Sequence, residues 1–253
     1  MSDGLGRLSS MPARKKPRRW LRWAVGITTA VFFVALFGAL TIWMATQRVP
    51  GWYRPVDVAG EELSRVRNSL PNTYQDFTDL VVRGEVFDFA ISDKTVTEWI
   101  VARGELYPEA REWLPDWFRD PVVHFDEDKC IVGARLQTGM WQAIVGIHLK
   151  AEVTREAITL RIEKVTAGSV PIPLSQFEKP LRRLLSDKRL DADLMPDPLS
   201  AIVRKLQDGG AHKLLSEGVS WPNLFQTANS RRVVKIVSLS AANGELRAGI
   251  EPR

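Results

Sequence analysis

The sequence predicts an α+β protein: a single N-terminal transmembrane helix, then one domain in which an antiparallel sheet packs on helices. Three observations predict it. Residues 23–44 (WAVGITTAVFFVALFGALTIWM) hold no charge over 22 positions. Residues 122–167 alternate apolar and polar side chains with period two, the signature of strands with one covered face. On either side of that stretch apolar residues recur at helical spacing.

At about 1.5 Å per residue the uncharged run crosses a hydrocarbon core of roughly 30 Å. Trp20, Trp23 and Trp43 stand at its two ends as an aromatic belt. The run exceeds the h-region of a cleaved leader, and no clean A-x-A site follows it. Residues 1–46 contain seven basic residues against Asp3 alone, whereas residues 47–253 contain 28 basic and 29 acidic ones. The basicity therefore belongs to the tail. The domain has no net positive field to displace counterions from phosphates, so nucleic-acid binding is not expected. RKKPRRWLR precedes the span and only Arg48 and Arg54 closely follow it. The positive-inside rule then places the N-terminus in the cytoplasm and the remainder outside. The expected division is residues 1–19 as a basic cytoplasmic tail, 20–46 as the transmembrane helix, 47–60 as a linker and 61–253 as the exported domain. In the linker, RVPGWYRPVDVAG, the aromatic pair Trp52 and Tyr53 is suited to the headgroup layer.

Leu63, Val66 and Leu70, then Tyr74, Phe77, Leu80 and Val81, predict one or two helices broken near Pro71. Residues 85–91 alternate as a strand, and Ser92 is placed to cap a helix that carries Val96, Trp99 and Ile100 on one face. WLPDWFRDP, with Trp113, Trp117 and Phe118, is a connector whose aromatics read either as core or as the contact surface of a lid or membrane-facing loop. In the sheet, Val145, Ile147, Leu149, Ala151 and Val153 face one way while His148, Lys150 and Glu152 face the other; Ile158, Leu160 and Ile162 repeat the pattern. DEDK (126–129) and TREA (154–157) are short enough to close hairpins. In GSVPIPLSQF two prolines surround Ile172, which confines the segment to an edge or exit strand. The next helix begins either with Ser175 and Glu178 as a capping box or with Pro180 as its first residue. A further helix spans about residues 198–207 and resumes after Gly209-Gly210. Asn243-Gly244 signals a closing hairpin.

A search for reactive constellations returns little. His124, His148 and His212 form no HxH or HxxxH pair, so no metal site is expected. G-x-S-x-G, P-loop and dinucleotide patterns are absent, so neither a catalytic residue nor a cofactor is assigned. The acidic pairs Asp116/Asp120 and Asp126/Asp128 read as solvated loop carboxylates. The one cysteine, Cys130, excludes an intramolecular disulfide and reads as a small buried hydrophobe.

The order of elements resembles a known group. A membrane anchor, FDFAISDKTVTEWI as strand into capped helix, two hairpins, VTAGSVPIPL before a helix, and a last strand pair around NGEL together resemble the YpmS-like membrane-anchored proteins. More loosely they resemble LmeA-type and tubular lipid-binding domains. The resemblance covers about residues 85–250, and the Trp-rich connector departs from it. It implies a strongly curved sheet wrapped on a helix, with an apolar groove for acyl chains or an isoprenoid. Candidate ligand-binding residues are Phe87, Phe89, Val96, Trp99, Ile100, Ile172, Leu174 and Phe177, which lie on apolar faces around the VPIP segment. The expected function is that of a single-pass cell-envelope protein binding an apolar or amphipathic, lipid-like ligand near the membrane. The alternatives are a scaffold for other envelope proteins and an enzyme of envelope polymers.

Overall fold

The computed structural model describes residues 19–108, 118–138, 141–185, 204, 207–208, 212–226 and 232–253. The chain divides into two units, Met1–Trp43 and Met44–Arg253. Helix α1 (Arg19–Thr46) contains the apolar stretch Ile27–Thr46, with mean hydropathy 2.1 and no buried part. Its length and composition suit a membrane span or a signal sequence.

The second unit is mixed helix and antiparallel strand, as the patterning requires. Helix α2 (Glu61–Arg83) is continuous through Pro71, so the expected break there does not occur. Proline removes only the hydrogen bond to the carbonyl of Arg67, and both residues are solvent-exposed, so water can replace it. Glu61 and Glu62 in the first turn and Arg83 in the last complement the helix dipole. Gly84 ends the helix in the left-handed conformation, φ 77°, with its N–H on the Val81 carbonyl.

Strand β1 (Phe87–Ser92) runs into α3 (Asp93–Val101), whose Thr95 N–H is accepted by the Ser92 hydroxyl at 3.1 Å, as the sequence predicts. A short α4 (Arg103–Leu106) follows. Trp113 and Trp117 of the connector lie outside the described residues. The strands β2 (Arg119–Asp126), β3 (Lys129–Thr138), β4 (Trp141–Val153), β5 (Ala157–Ala167) and β6 (Val170–Ile172) form one sheet in that order. After α5 (Leu174–Leu185), β7 (Val219–Pro222) pairs with β5. A second sheet has the order β1-β10-β9-β8, from β8 (Phe225–Gln226), β9 (Val233–Ala242) and β10 (Glu245–Pro252). The strands expected as a single sheet are thus shared between two.

Local chemistry sets the turns. Asn243 and Gly244 have φ 53° and 78°, and Glu127 and Asp128 have φ 49° and 58°, the pair of positive angles that a tight I′-type hairpin needs. The two turns interlock: Asp128 N–H donates to Ala241 O, and Gly244 N–H donates to Phe125 O. The VPIP segment is a three-residue edge strand, as its prolines demand. Helix α5 starts at Leu174, ahead of both expected starts, with Pro180 inside it. The helix expected over about residues 198–207 falls almost wholly outside the described residues; residues 212–216 are helical.

Candidate functional site

The eight candidate residues are built into separate cores. Phe87 and Phe89 pack with Phe77 of α2, ring centroids 5.7 and 5.3 Å apart, in the layer between α2 and the four-stranded sheet. Val96 and Ile100 lie between the two sheets, against Val123, Phe125 and Ala241. Ile172, Leu174 and Phe177 pack on the six-stranded sheet around Val165, Leu181 and Leu214. Trp99 turns toward α2, where its Nε1–H donates to the Ser69 hydroxyl at 3.0 Å. The structure therefore does not gather them along one wall.

A cleft forms elsewhere, and residues 51–56 of the expected linker build one side of it. Tyr53 is only 4 % exposed and packs with Val122 and Ile144. Its hydroxyl donates to the Asp120 carbonyl at 2.8 Å. Burial, aided by the Asp120 carboxylate and opposed by Arg135, raises its phenol above the usual 10. Trp52 lies on bare backbone at Gly133 and Gly146, where any Cβ would meet its six-membered ring. The headgroup-layer expectation for this pair gives way to packing: the segment straps the sheet at a spot that two glycines leave empty.

The cleft has a volume of about 590 Å³, with Trp52, Arg54, Asp93, Lys94, Val122 and His124 among its walls. Asp93 is the first residue of α3, and its N–H is fixed on the Gly244 carbonyl at 2.8 Å. Its Oδ2 sits 2.8 Å from His124 Nδ1 on β2, with both side chains about a quarter exposed. The imidazole is in turn parallel to the Trp52 ring, 9° between planes and 6.5 Å between centroids. Thr97 holds α3 against the outer edge of β2: its hydroxyl accepts from Val123 N–H at 2.9 Å and donates to Val123 O at 3.2 Å. These bonds satisfy the backbone groups that an edge strand would otherwise leave open. A smaller cleft of about 370 Å³ lies beside Val56, Arg103 and Asp120. Asp120 has φ 48° at the bulge between Arg119 and Val122. Burial lowers the pKa of Arg103.

Among the described residues lining the two clefts there is no serine or cysteine, and the Thr97 hydroxyl is committed to the Val123 backbone. Among the described residues no group of three or more His, Cys, Asp or Glu is placed to hold a metal ion. Of the carboxylates weighed from the sequence, Asp126 lines the larger cleft, Asp120 is 3.3 Å from Arg135, and Asp128 accepts from Ala241 N–H; Asp116 is outside the described residues. The larger cleft combines an indole wall with a fixed acid–imidazole pair and two flanking cations. That set suits binding a molecule with one apolar and one polar end.

Compared with known proteins, the chain matches no family model, no curated protein and no solved structure.

The sequence held faint signals of this site. A histidine interrupts the apolar run VVHF in β2, GW precedes a tyrosine in the linker, and one glycine each, Gly133 and Gly146, interrupts β3 and β4. What periodicity cannot supply is the return of residues 51–56 onto strands some 80 to 90 positions later.

Proposed function

We propose that this chain is a single-pass cell-envelope protein, N-terminus cytoplasmic, whose extracytoplasmic domain binds an amphipathic, lipid-like ligand by its polar end in the Trp52–His124 cleft. The observation that carries the reading is the origin of the cleft wall. Only four residues separate residues 51–56 from Thr46, the end of the apolar helix, so the site stays within a short chain length of any bilayer that helix enters. The volume falls in the range of ligand sites, roughly 300–1,000 Å³. Trp52, Val56 and Val122 offer apolar surface to the start of a chain, while Arg54, Lys94 and the Asp93–His124 pair offer hydrogen bonds to a head. The resemblance to YpmS-like and tubular lipid-binding proteins points the same way.

The test is binding of a fluorescent lysolipid by the full chain in detergent, with Trp52→Ala and Asp93→Asn compared to wild type. Weaker binding by both variants, with circular dichroism unchanged, is expected. Wild-type affinity in Trp52→Ala would remove the cleft as the site. A reporter fused after Arg253 should be active only outside the cytoplasm, and cytoplasmic activity would reverse the topology.

A further inference from the structure

The six-stranded sheet has two faces of opposite character. One carries Val145, Ile147, Leu149, Ile162 and Val165 into the core beneath α5. On the other, cross-strand pairing sets His124, Ile131, His148 and Lys164 in one row across β2, β3, β4 and β5. Lys150 pairs with Arg161 two positions along, beyond a bulge at His148/Leu149. Lys129 reaches Glu163 at 3.2 Å from the same side.

The charges on this face do not cancel. Glu152 serves both Lys150, at 3.9 Å, and Arg161, at 3.2 Å. Glu163 serves Lys129, and exposed Lys164 has no ion-pair partner among the described residues. Asp126 stands opposite Lys129 in the β2–β3 register, so four cations on this face meet three carboxylates. At their centre the Nε2 atom of His148 is buried without a hydrogen-bond partner. Burial lowers the pKa of this imidazole, and the fields of Lys164 and Lys129 lower it further against the weaker pull of Glu163.

We infer that this face, with Lys129, Lys150, Arg161 and Lys164 around His148, docks on the anionic phosphate headgroups of the bilayer that carries the protein. A short tether keeps that surface at high effective concentration, so a modest excess of charge suffices for contact. The row that contains His148 begins at His124 in the cleft, so docking would bring the cleft and the headgroup layer together. The inference rests on the membrane-anchor part of the proposed function and not on the identity of any ligand.

The experiment reconstitutes the full chain in nanodiscs of neutral phosphatidylcholine, or of phosphatidylcholine mixed with anionic phosphatidylglycerol, and follows acylation of individual lysines by mass spectrometry. Labelling of Lys150 and Lys164 should slow about fivefold in the anionic discs, with Lys213 and Lys235 as internal references, and recover at high salt. Arg161→Gln should lessen the slowing without altering the fold. Equal rates in both discs would overturn the docking surface while leaving the anchor in place. Failure of the chain to co-elute with discs would remove the anchor and the docking together. Slowing by inorganic phosphate in neutral discs, with none from anionic lipid, would make the face a soluble-anion site and overturn the proposal.

Discussion

The Trp99 indole and the Ser69 hydroxyl join α3 to α2: Nε1–H donates to Oγ at 3.0 Å while that hydroxyl donates onward to the Val66 carbonyl at 2.8 Å. Trp99 is therefore a strut between helices. Its polar atom is satisfied inside the domain, the usual condition for packing an indole.

Removing either partner should cost about 1 kcal/mol of stability, the net contribution of a hydrogen bond of this kind. Trp99→Phe and Ser69→Ala, measured singly and together by denaturant unfolding, should show a double-mutant coupling of similar size. Additive effects would show the bond to be absent in solution. Lysolipid binding should be unchanged in Ser69→Ala, because this pair lies outside the cleft.

The glycines beneath Trp52 give a second prediction. A Cβ at Gly146 would stand 2.8 Å from the indole Cζ2, closer than real carbon contacts, and Gly133 is tighter still. Gly133→Val and Gly146→Val should each lower stability by roughly 1–3 kcal/mol, the range for overpacking, and should weaken lysolipid binding as the ring is displaced. In a Trp52→Ala background most of the cost at Gly133 should vanish, since the ring supplies its two nearest contacts. Thermal melts of the four-protein cycle measure this. Persistence of the full cost without Trp52 would place the strap elsewhere.

These cases show what the sequence made legible. Capping at Ser92, the edge strand around Ile172 and the Asn243-Gly244 turn depend on a few adjacent residues, and each appears where local chemistry puts it. Pro71 and Pro180 mislead because the hydrogen bond each removes ends at an exposed residue, Arg67 or Gln176, where water is a ready substitute. Phe87, Ile100 and Phe177 are apolar-facing as read, but periodicity says only that a face is covered. Which layer covers it is decided by long-range pairing, here by the division of strands between two sheets.

The pH dependence of stability follows from His148. Its folded-state pKa lies below the ordinary 6.5, so the unfolded chain takes up the proton first. Stability is then greatest above about pH 6.5 and falls as the pH drops through that value toward the depressed one. Lys164 and Lys129 oppose the charged form and Glu163 favours it. His148→Gln should flatten the loss of stability as the pH falls below about 6.5, read from denaturation midpoints. Lys164→Gln should do so in part. An unchanged slope in both variants would mean that other groups set the acid response.

Cys130 offers the last measurement, of the contact between the two sheets. It pairs with Phe125 and Leu149 across neighbouring strands and packs with Val123, Phe125 and Ala241, and burial pushes its thiol up to about 12. Only the thiolate reacts, so at pH 8 about one part in ten thousand is competent even before access is considered. An aromatic disulfide reagent should therefore label native protein orders of magnitude more slowly than protein in guanidinium, where the thiol regains its ordinary pKa. If labelling requires local opening, its rate should rise in Gly146→Val no more than in wild type, because the Trp52 strap covers the opposite face of the sheet from Cys130. It should rise in Ala241→Gly, which loosens the packing on Cys130 directly. Rapid labelling of the native wild type would mean that the four- and six-stranded sheets are not closed on each other at this point.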